Sequence, residues 1–238
     1  MIGGSRLCKL LKNTTQEEVK TPYGEPSDSV FIGSLSKRKV AFISRHGKNH
    51  SIPPHSINHK ANIFALKSLG VKNIISTATV GIINTKINPG DFIIPNDFLD
   101  FTKTPQTFFN KFEKEPIHTD MTKPFSEKIR KFLIETCKEF GYSFHESGVY
   151  VNACGPRFET PAEIRMFDIL GADIVGMTIV PEVVLSNELG IEYATIAIGT
   201  NYACGISKKL LTFKEVHDMT RKKEAQLKKI IKKAVNKI

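Results

Sequence analysis

Short apolar runs recur along this chain, separated by stretches in which apolar residues return every third or fourth position. Val40-Ala41-Phe42-Ile43, Ile74-Ile75 and Ile196-Ala197-Ile198 are too brief for helices and end in Ser, Thr or Gly. Runs of this length, rich in β-branched residues and closed by turn formers, predict buried strands. Strands are expected over residues 30–32, 39–44, 73–77, 91–94, 148–152, 174–177 and 193–199. Helical spacing predicts helices over 58–69, 128–140, 162–170, 182–189 and 213–237. Alternation of the two patterns is the signature of an α/β fold, with a mixed, mostly parallel central sheet flanked by helices. No repeat, low-complexity tract or linker divides the chain, so residues 1–238 are expected to form a single domain.

Composition narrows the class. Of 238 residues, 40% are hydrophobic and 24% charged, an ordinary globular balance that can build a core without disulfides or structural metal. The four cysteines, Cys8, Cys137, Cys154 and Cys204, form no CxxC pair, which favours reduced thiols and a cytoplasmic setting. Residues 1–13 lack the apolar core of a signal peptide. The longest apolar stretch, 174–185, carries Thr178, Pro181 and Glu182, so no membrane association is expected. A net charge of +10 raises nucleic acid as a partner. Much of the excess, however, lies in "RKKEAQLKKIIKKAVNKI", where Leu227, Ile230, Ile231, Ala234 and Val235 keep helical spacing and turn the lysines to a solvated face. No aromatic residues interleave to stack bases, so no nucleic-acid partner is expected.

The candidate chemistry sits at strand exits, where ligands of such sheets bind. "IGGS" (2–5) offers two glycines for close backbone approach and the Ser5 hydroxyl; "SRHG" (44–47) adds the Arg45 guanidinium, able to grip an anion through two N–H groups, and His46. "STATVG" (76–81) gives hydroxyls beside a glycine, and "GMTIVPE" (176–182) places Thr178 before a helix start marked by Pro181 and Glu182, where backbone N–H groups and the helix dipole favour an anion. Each exit alone is ordinary turn chemistry; together they would hold a phosphate. His46, His50, His55 and His59 repeat an H-x3-H spacing, but Gly47 and Pro53-Pro54 interrupt any helix and no Cys or carboxylate joins them, so no metal is expected.

"GGS", "RHGKNHSIPPHSINHKANIFALKSLGV", "NPGDFIIPNDFLDFT", "GPRFETPAEIRMFDILGADIVGMTIVPEVVLSNELGI" and "GTNYA" occur in this order and together resemble the trimeric purine nucleoside phosphorylases, nearest the methylthioadenosine and methylthioinosine branch. The resemblance runs from about Ile2 through the final helix. It implies the nucleoside phosphorylase fold, with a partly barrel-like sheet, and phosphorolysis of a purine nucleoside in purine salvage. Inorganic phosphate would be a co-substrate and no organic cofactor or metal would be required.

Ser5, Arg45, His46, Ala78, Thr79 and Thr178 match the family's phosphate residues. Phe158, Glu159, Met177, Asn201, Ala203 and His118 match the nucleoside side, with Asn201 and His46 expected to act in catalysis. Phe158 would lie on the base, Glu159 at its edge, Asn201 near N7 and O6, Met177 against the ribose and His118 near the 5′ position. A carboxylate only accepts hydrogen bonds, whereas an amide also donates. Glu159 and Asn201 therefore suit a 6-oxopurine, which has an N1–H donor and an O6 acceptor. Methylthioadenosine phosphorylases typically carry Asp-Tyr-Asp where this chain has Asn201-Tyr202-Ala203, and Ser in place of Glu159. The expected substrates are 5′-methylthioinosine, inosine and guanosine. The rival readings are a methylthioadenosine phosphorylase and a basic binding protein that kept the fold without turnover. The resemblance also implies a homotrimer or dimer of trimers, with a neighbouring subunit closing the 5′ end. Three departures stand out: only Met1 and Ile2 stand where the family usually has several apolar residues before the first glycine pair, Gly-Gly-Ser-Arg replaces the family's Gly-Gly-Thr-Gly, bringing in Arg6, and His59 stands where Tyr is common.

Overall fold

The computed structural model describes residues 1–112, 115–207 and 210–238. Each predicted strand and helix is present. The strands are β1 (Ile2–Gly3), β2 (Lys12–Glu17), β3 (Val30–Leu35), β4 (Arg38–Ser44), β5 (Asn73–Ile82), β6 (Phe92–Ile93), β7 (Asp97–Asp100), β8 (Phe144–His145), β9 (Val149–Asn152), β10 (Ile174–Gly176) and β11 (Glu192–Tyr202). The helices are α1 (His59–Ser68), α2 (Glu127–Phe140), α3 (Pro161–Ile169), α4 (Ile179–Glu188) and α5 (Phe213–Lys237).

All strands belong to one sheet, ordered β2-β3-β4-β1-β5-β10-β9-β7, with β11, β6 and β8 branching from β5. The centre is parallel: β1 lies between β4 and β5, and β11 runs beside β5 along its whole length. The β2-β3-β4 meander is antiparallel. β5 is the hub, because one edge carries β11 while the other is shared by β1 near Ser76 and by β10 at Gly81 and Ile82.

Helices cover both faces of this centre, which explains why its strands read as continuous apolar runs. Side chains alternate across a strand, so neighbours enter different cores. Ile43, Ile74, Tyr193 and Ala197 pack with Ile63 and Leu66 of α1 and Ile179 and Val183 of α4. Phe42, Ile75, Ala194 and Ile198 pack with Ile129 and Leu133 of α2 and Leu227, Ile230 and Ile231 of α5. The apolar stripe expected of α5 is thus buried, and Lys233 and Lys237 reach Glu135 and Glu139 of α2. Asn58, Ser126, Thr160 and Thr212 cap α1, α2, α3 and α5, each accepting a first-turn N–H; Thr160 and Glu163 form a full capping box. Among the described residues no helix is long and apolar enough to cross a membrane.

Candidate active site

The parallel exits of β1, β4 and β5 lie side by side. Ile2 and Gly3 pair with Ile43 and Ser44, the Arg45 N–H donates to the Gly3 carbonyl at 3.1 Å, and Ile2 faces Ser76. A Cβ on Gly3 would come within 2.5 Å of the Thr77 hydroxyl, so glycine is what lets the first exit close on β5. Gly3, Arg45 and Thr77-Ala78-Thr79 therefore form one ledge. Ala78 is half-buried and Thr79 exposed at its rim. Ser5, on the 3-10 turn Ser5–Leu10, is exposed beside that ledge. Arg6 turns away to α5, where it meets Glu224 at 3.2 Å and His217 at 3.2 Å.

Arg45 is buried, and three of its five N–H groups are occupied. Nε and Nη2 donate to the two carboxylate oxygens of Glu182 at 2.5 and 2.9 Å, and Nη1 donates to the Thr77 carbonyl at 2.7 Å. One N–H remains on each of Nη1 and Nη2. Burial alone would drive the Glu182 carboxyl up, but the charge and hydrogen bonds of Arg45 outweigh it and hold the carboxyl below its usual range. The same pairing keeps the buried guanidinium charged. Glu182 also brings in α4, because it lies one turn past Thr178, the residue preceding that helix. The four separate sequence signals are thereby joined at one place.

His46 stacks on His50 with ring centroids 4.1 Å apart. Its Nδ1–H donates to the Ile52 carbonyl at 3.0 Å, which leaves Nε2 with a lone pair. Burial, and then the charge of Arg45, push its pKa down to about 4, so the ring is neutral and Nε2 can accept a hydrogen bond but is a poor proton acceptor. The loop behind it is strained: Gly47, Asn49 and His50 all have positive φ.

The α4 terminus departs from the sequence expectation. Two of the N–H groups at its start are already taken, because Thr178 N–H donates to the Tyr150 hydroxyl at 3.2 Å and Val180 N–H to Asn152 Oδ1 at 3.3 Å. Both acceptors come from β9. What Thr178 retains is a hydroxyl with no hydrogen-bond partner among the described residues, together with the helix dipole. The helix also starts at Ile179, ahead of the expected Glu182, which places Pro181 third in the first turn, where its missing N–H costs nothing.

The residues expected to meet the nucleoside lie farther along β5. Gly81 pairs with Asn201 on one side and Val175 on the other. Thr79 and Gly81 are two residues apart, about 7 Å along a strand and room for a pentose. β11 bulges at Thr200, with Gly199 opposite Val80 and Asn201 opposite Gly81. This re-aims the Asn201 side chain. Its Nδ2 donates to the Tyr202 carbonyl at 3.0 Å, and since a carbonyl only accepts, the amide orientation is settled; Oδ1 accepts from Thr200 at 2.7 Å. One Asn201 N–H is left over. Beyond it, Ala203 is buried against β5, its N–H donating to the Ile82 carbonyl.

Glu159 precedes α3 and is 7% exposed. Its Oε1 is fully buried with no partner, and burial raises its pKa. Burial, and then the nearby Glu159 charge, push the Cys204 thiol up as well, so Glu159 faces the segment that follows Asn201. A Cβ on Gly155 would meet Met177 Sδ at 2.6 Å, and one on Gly205 would meet Pro161 at 2.6 Å. The 153–161 segment thus bridges Met177 and residues 203–205. Phe158 is 39% exposed at its edge.

His118 is not brought in. It is exposed, edge-on to Phe112 at 5.9 Å. The four histidines likewise do not gather: among the described residues no group of three or more His, Cys, Asp or Glu could hold a metal ion. Sequence reasoning missed Glu182, Tyr150 and Asn152 as site-builders. For Glu182 a signal existed, a lone acid inside the apolar "IVPEVV"; for the other two none did.

A family model described as the phosphorylase superfamily matches residues 2–236. A 6-oxopurine nucleoside phosphorylase of Pyrococcus furiosus is 47% identical over 99% of this chain and 91% of that protein. A probable S-methyl-5′-thioinosine phosphorylase of Methanothermobacter thermautotrophicus is 45% identical over 99% of this chain and 82% of its own length. A solved structure of methylthioadenosine phosphorylase from Schistosoma mansoni with adenine superimposes with a TM-score of 0.93 at 34% identity, covering 99% of this chain and 89% of that one.

Proposed function

The chain belongs to the phosphorylase superfamily, and we propose that within it the protein takes 6-oxopurine nucleosides, with S-methyl-5′-thioinosine, inosine and guanosine as substrates. The protein is a purine nucleoside phosphorylase, a pentosyltransferase that breaks the N-glycosidic bond with phosphate. Its products would be hypoxanthine or guanine and ribose 1-phosphate or its 5-methylthio form.

One observation carries the base preference. A buried carboxylate oxygen without a partner, on Glu159, and an amide held with one N–H to spare, on Asn201, supply an acceptor and a donor. A 6-oxopurine offers the complementary N1–H and O6 or N7; adenine reverses the donor and acceptor at N1 and C6. Ala203 adds no charge beside them.

Phosphate would sit on the ledge of Ser5, Arg45, Ala78 and Thr79, capped by Thr178 and His46. From there it attacks the anomeric carbon as the glycosidic bond breaks. The sugar passes through a cation-like state between the phosphate and the departing base. Arg45 holds the nucleophile, and Asn201 donates to the base as negative charge builds on it, an interaction stronger in the transition state than in the substrate. Phe158 would cover the base and Met177 the ribose.

His118, the residue expected near the 5′ position, is exposed in one chain, and Phe101, Ile117, Met166 and Ile169 are exposed apolar side chains. This supports self-association, as a homotrimer or dimer of trimers, in which a neighbour closes the 5′ side. No cofactor is required by this chemistry. A cytoplasmic role in purine salvage fits the reaction.

Incubation with 5′-methylthioinosine, with phosphate supplied or withheld, tests the reading. Hypoxanthine release that requires phosphate, and faster turnover than of methylthioadenosine, is expected. Preference for methylthioadenosine would overturn the base assignment, and release without phosphate would overturn phosphorolysis.

A further inference from the structure

Behind Arg45 lies an ion pair whose purpose neither the phosphate ledge nor the base edge explains. Glu182 is completely buried and sits among Ile179, Val180 and Val183 on an otherwise apolar stretch of α4. A buried ion pair is a poor stabiliser, because well-packed apolar side chains of similar volume usually hold a core as well or better. Its field also works against the site, since a carboxylate behind the arginine weakens the pull on an anion in front of it. Whatever Glu182 contributes to this site is therefore geometry.

The geometry is over-determined. Glu182 takes the Nε and Nη2 edge of Arg45, and the Thr77 carbonyl takes Nη1. The guanidinium plane is thus fixed from one strand, β5, and one helix, α4. Glu182 is itself held, its Oε2 accepting from the Tyr193 hydroxyl at 2.7 Å. That hydroxyl is tied to Ser76 at 2.6 Å, and Ser76 to Thr195. Tyr193 and Thr195 stand on β11 and Ser76 on β5, the two strands that also carry Asn201 and Thr79.

We propose that Glu182 is a positioning residue for phosphorolysis: its carboxylate locks the Arg45 guanidinium so that the two unused N–H groups face phosphate. The inference rests on the assignment of Arg45 to the phosphate site. Charge and geometry make opposite demands here. If the field of Glu182 mattered most, neutralising it would tighten phosphate binding; if orientation matters most, the same change weakens it. In Glu182→Gln one of the two oxygens facing Arg45 becomes an amide NH2, which opposes a guanidinium N–H and turns the fork.

Steady-state kinetics with phosphate and inosine varied separately tests this on the whole enzyme, using Glu182→Gln, Glu182→Asp, Tyr193→Phe and, as reference, Arg45→Lys. Glu182→Gln is expected to raise the phosphate KM by about tenfold or more, the loss of a charge-assisted hydrogen bond, with the inosine KM nearly unchanged. Glu182→Asp keeps the charge but falls a methylene short, and should raise the phosphate KM severalfold with a smaller loss of melting temperature. Tyr193→Phe should give a lesser increase in the same direction. Should Glu182→Gln fail to fold, the other two variants decide. A phosphate KM that falls or stays constant overturns the proposal, as does a parallel rise in both KM values that tracks lost stability. If Arg45→Lys leaves the phosphate KM alone, the phosphate assignment fails instead.

Discussion

Glu159→Gln is expected to improve the empty protein while impairing the enzyme. The carboxylate is 7% exposed, its Oε1 has no partner, and its pKa is raised by burial. A carboxylic acid with a raised folded pKa adds stability only while protonated, so its contribution is lost as pH climbs from the ordinary glutamate value through the folded one. At neutral pH the charge is a liability, and leaving a buried polar atom unpaired costs about 1–3 kcal/mol. The isosteric amide removes the charge and should raise the melting temperature of the ligand-free protein. With a 6-oxopurine bound, Oε1 gains the N1–H as partner. A hydrogen bond to a charged group contributes about 1.5–3 kcal/mol and a neutral one about 0.5–1.5, so the substitution should cost about 1–2 kcal/mol of transition-state binding. The amide can instead donate to N1 of an adenine nucleoside, gaining about 1 kcal/mol there. The ratio of kcat/KM for inosine over adenosine should thus fall by roughly 30- to 150-fold. Kinetics on both nucleosides at saturating phosphate, with thermal melts of the empty protein, read out both halves. A folded variant whose ratio is unmoved would refute the placement of Glu159 at the base.

Asn201→Asp should also shift preference toward adenine nucleosides, with a stability loss of about 1–2 kcal/mol because one carboxylate oxygen would face the Tyr202 carbonyl that Nδ2 now serves; denaturation and the same kinetic ratio check it. His59 is buried with an unpartnered Nδ1, and burial first, then Arg45, lower its pKa to about 4 against the opposing charge of Glu182. A histidine kept neutral by folding gives stability that is whole above pH 6.5 and lost as pH falls toward 4, on the order of 3 kcal/mol. His59→Leu should flatten that acid limb in denaturation measured from pH 7 to 4. In Gly176→Ala the new Cβ would overlap the Tyr150 hydroxyl and lie within 2.8 Å of Cζ, so a loss of about 3 kcal/mol and a weakened phosphate KM are expected from melting and kinetics.

The sequence made the buried parallel centre legible because both of its faces are apolar and its runs are uninterrupted. β2 was missed for the opposite reason: all six residues of "KNTTQE" are exposed, and its place comes from pairing with β3 alone. β5 was expected to stop at Thr77, since "STATVG" reads as a loop, yet it continues to Ile82 and carries the site on its own extension. Arg45 and Asn201 could be picked out by residue type and resemblance. Their orientation could not, because it depends on Glu182, 137 positions away from Arg45, and on a bulge at Thr200. Tyr150 and Asn152 were invisible as helix caps for the same reason, since β9 and α4 meet only in the folded chain.

The exits of β1, β10 and β11 border β5 directly, and the β4 exit is tied to it through β1 and the hydrogen bond from Arg45 to the Thr77 carbonyl. A partial melt that detached this strand would scatter the anion ledge and the nucleobase edge in a single step. No half-assembled form could keep one binding function without the other. Heat inactivation should therefore superimpose on loss of secondary structure, and protection by phosphate alone or by hypoxanthine alone should shift both curves together.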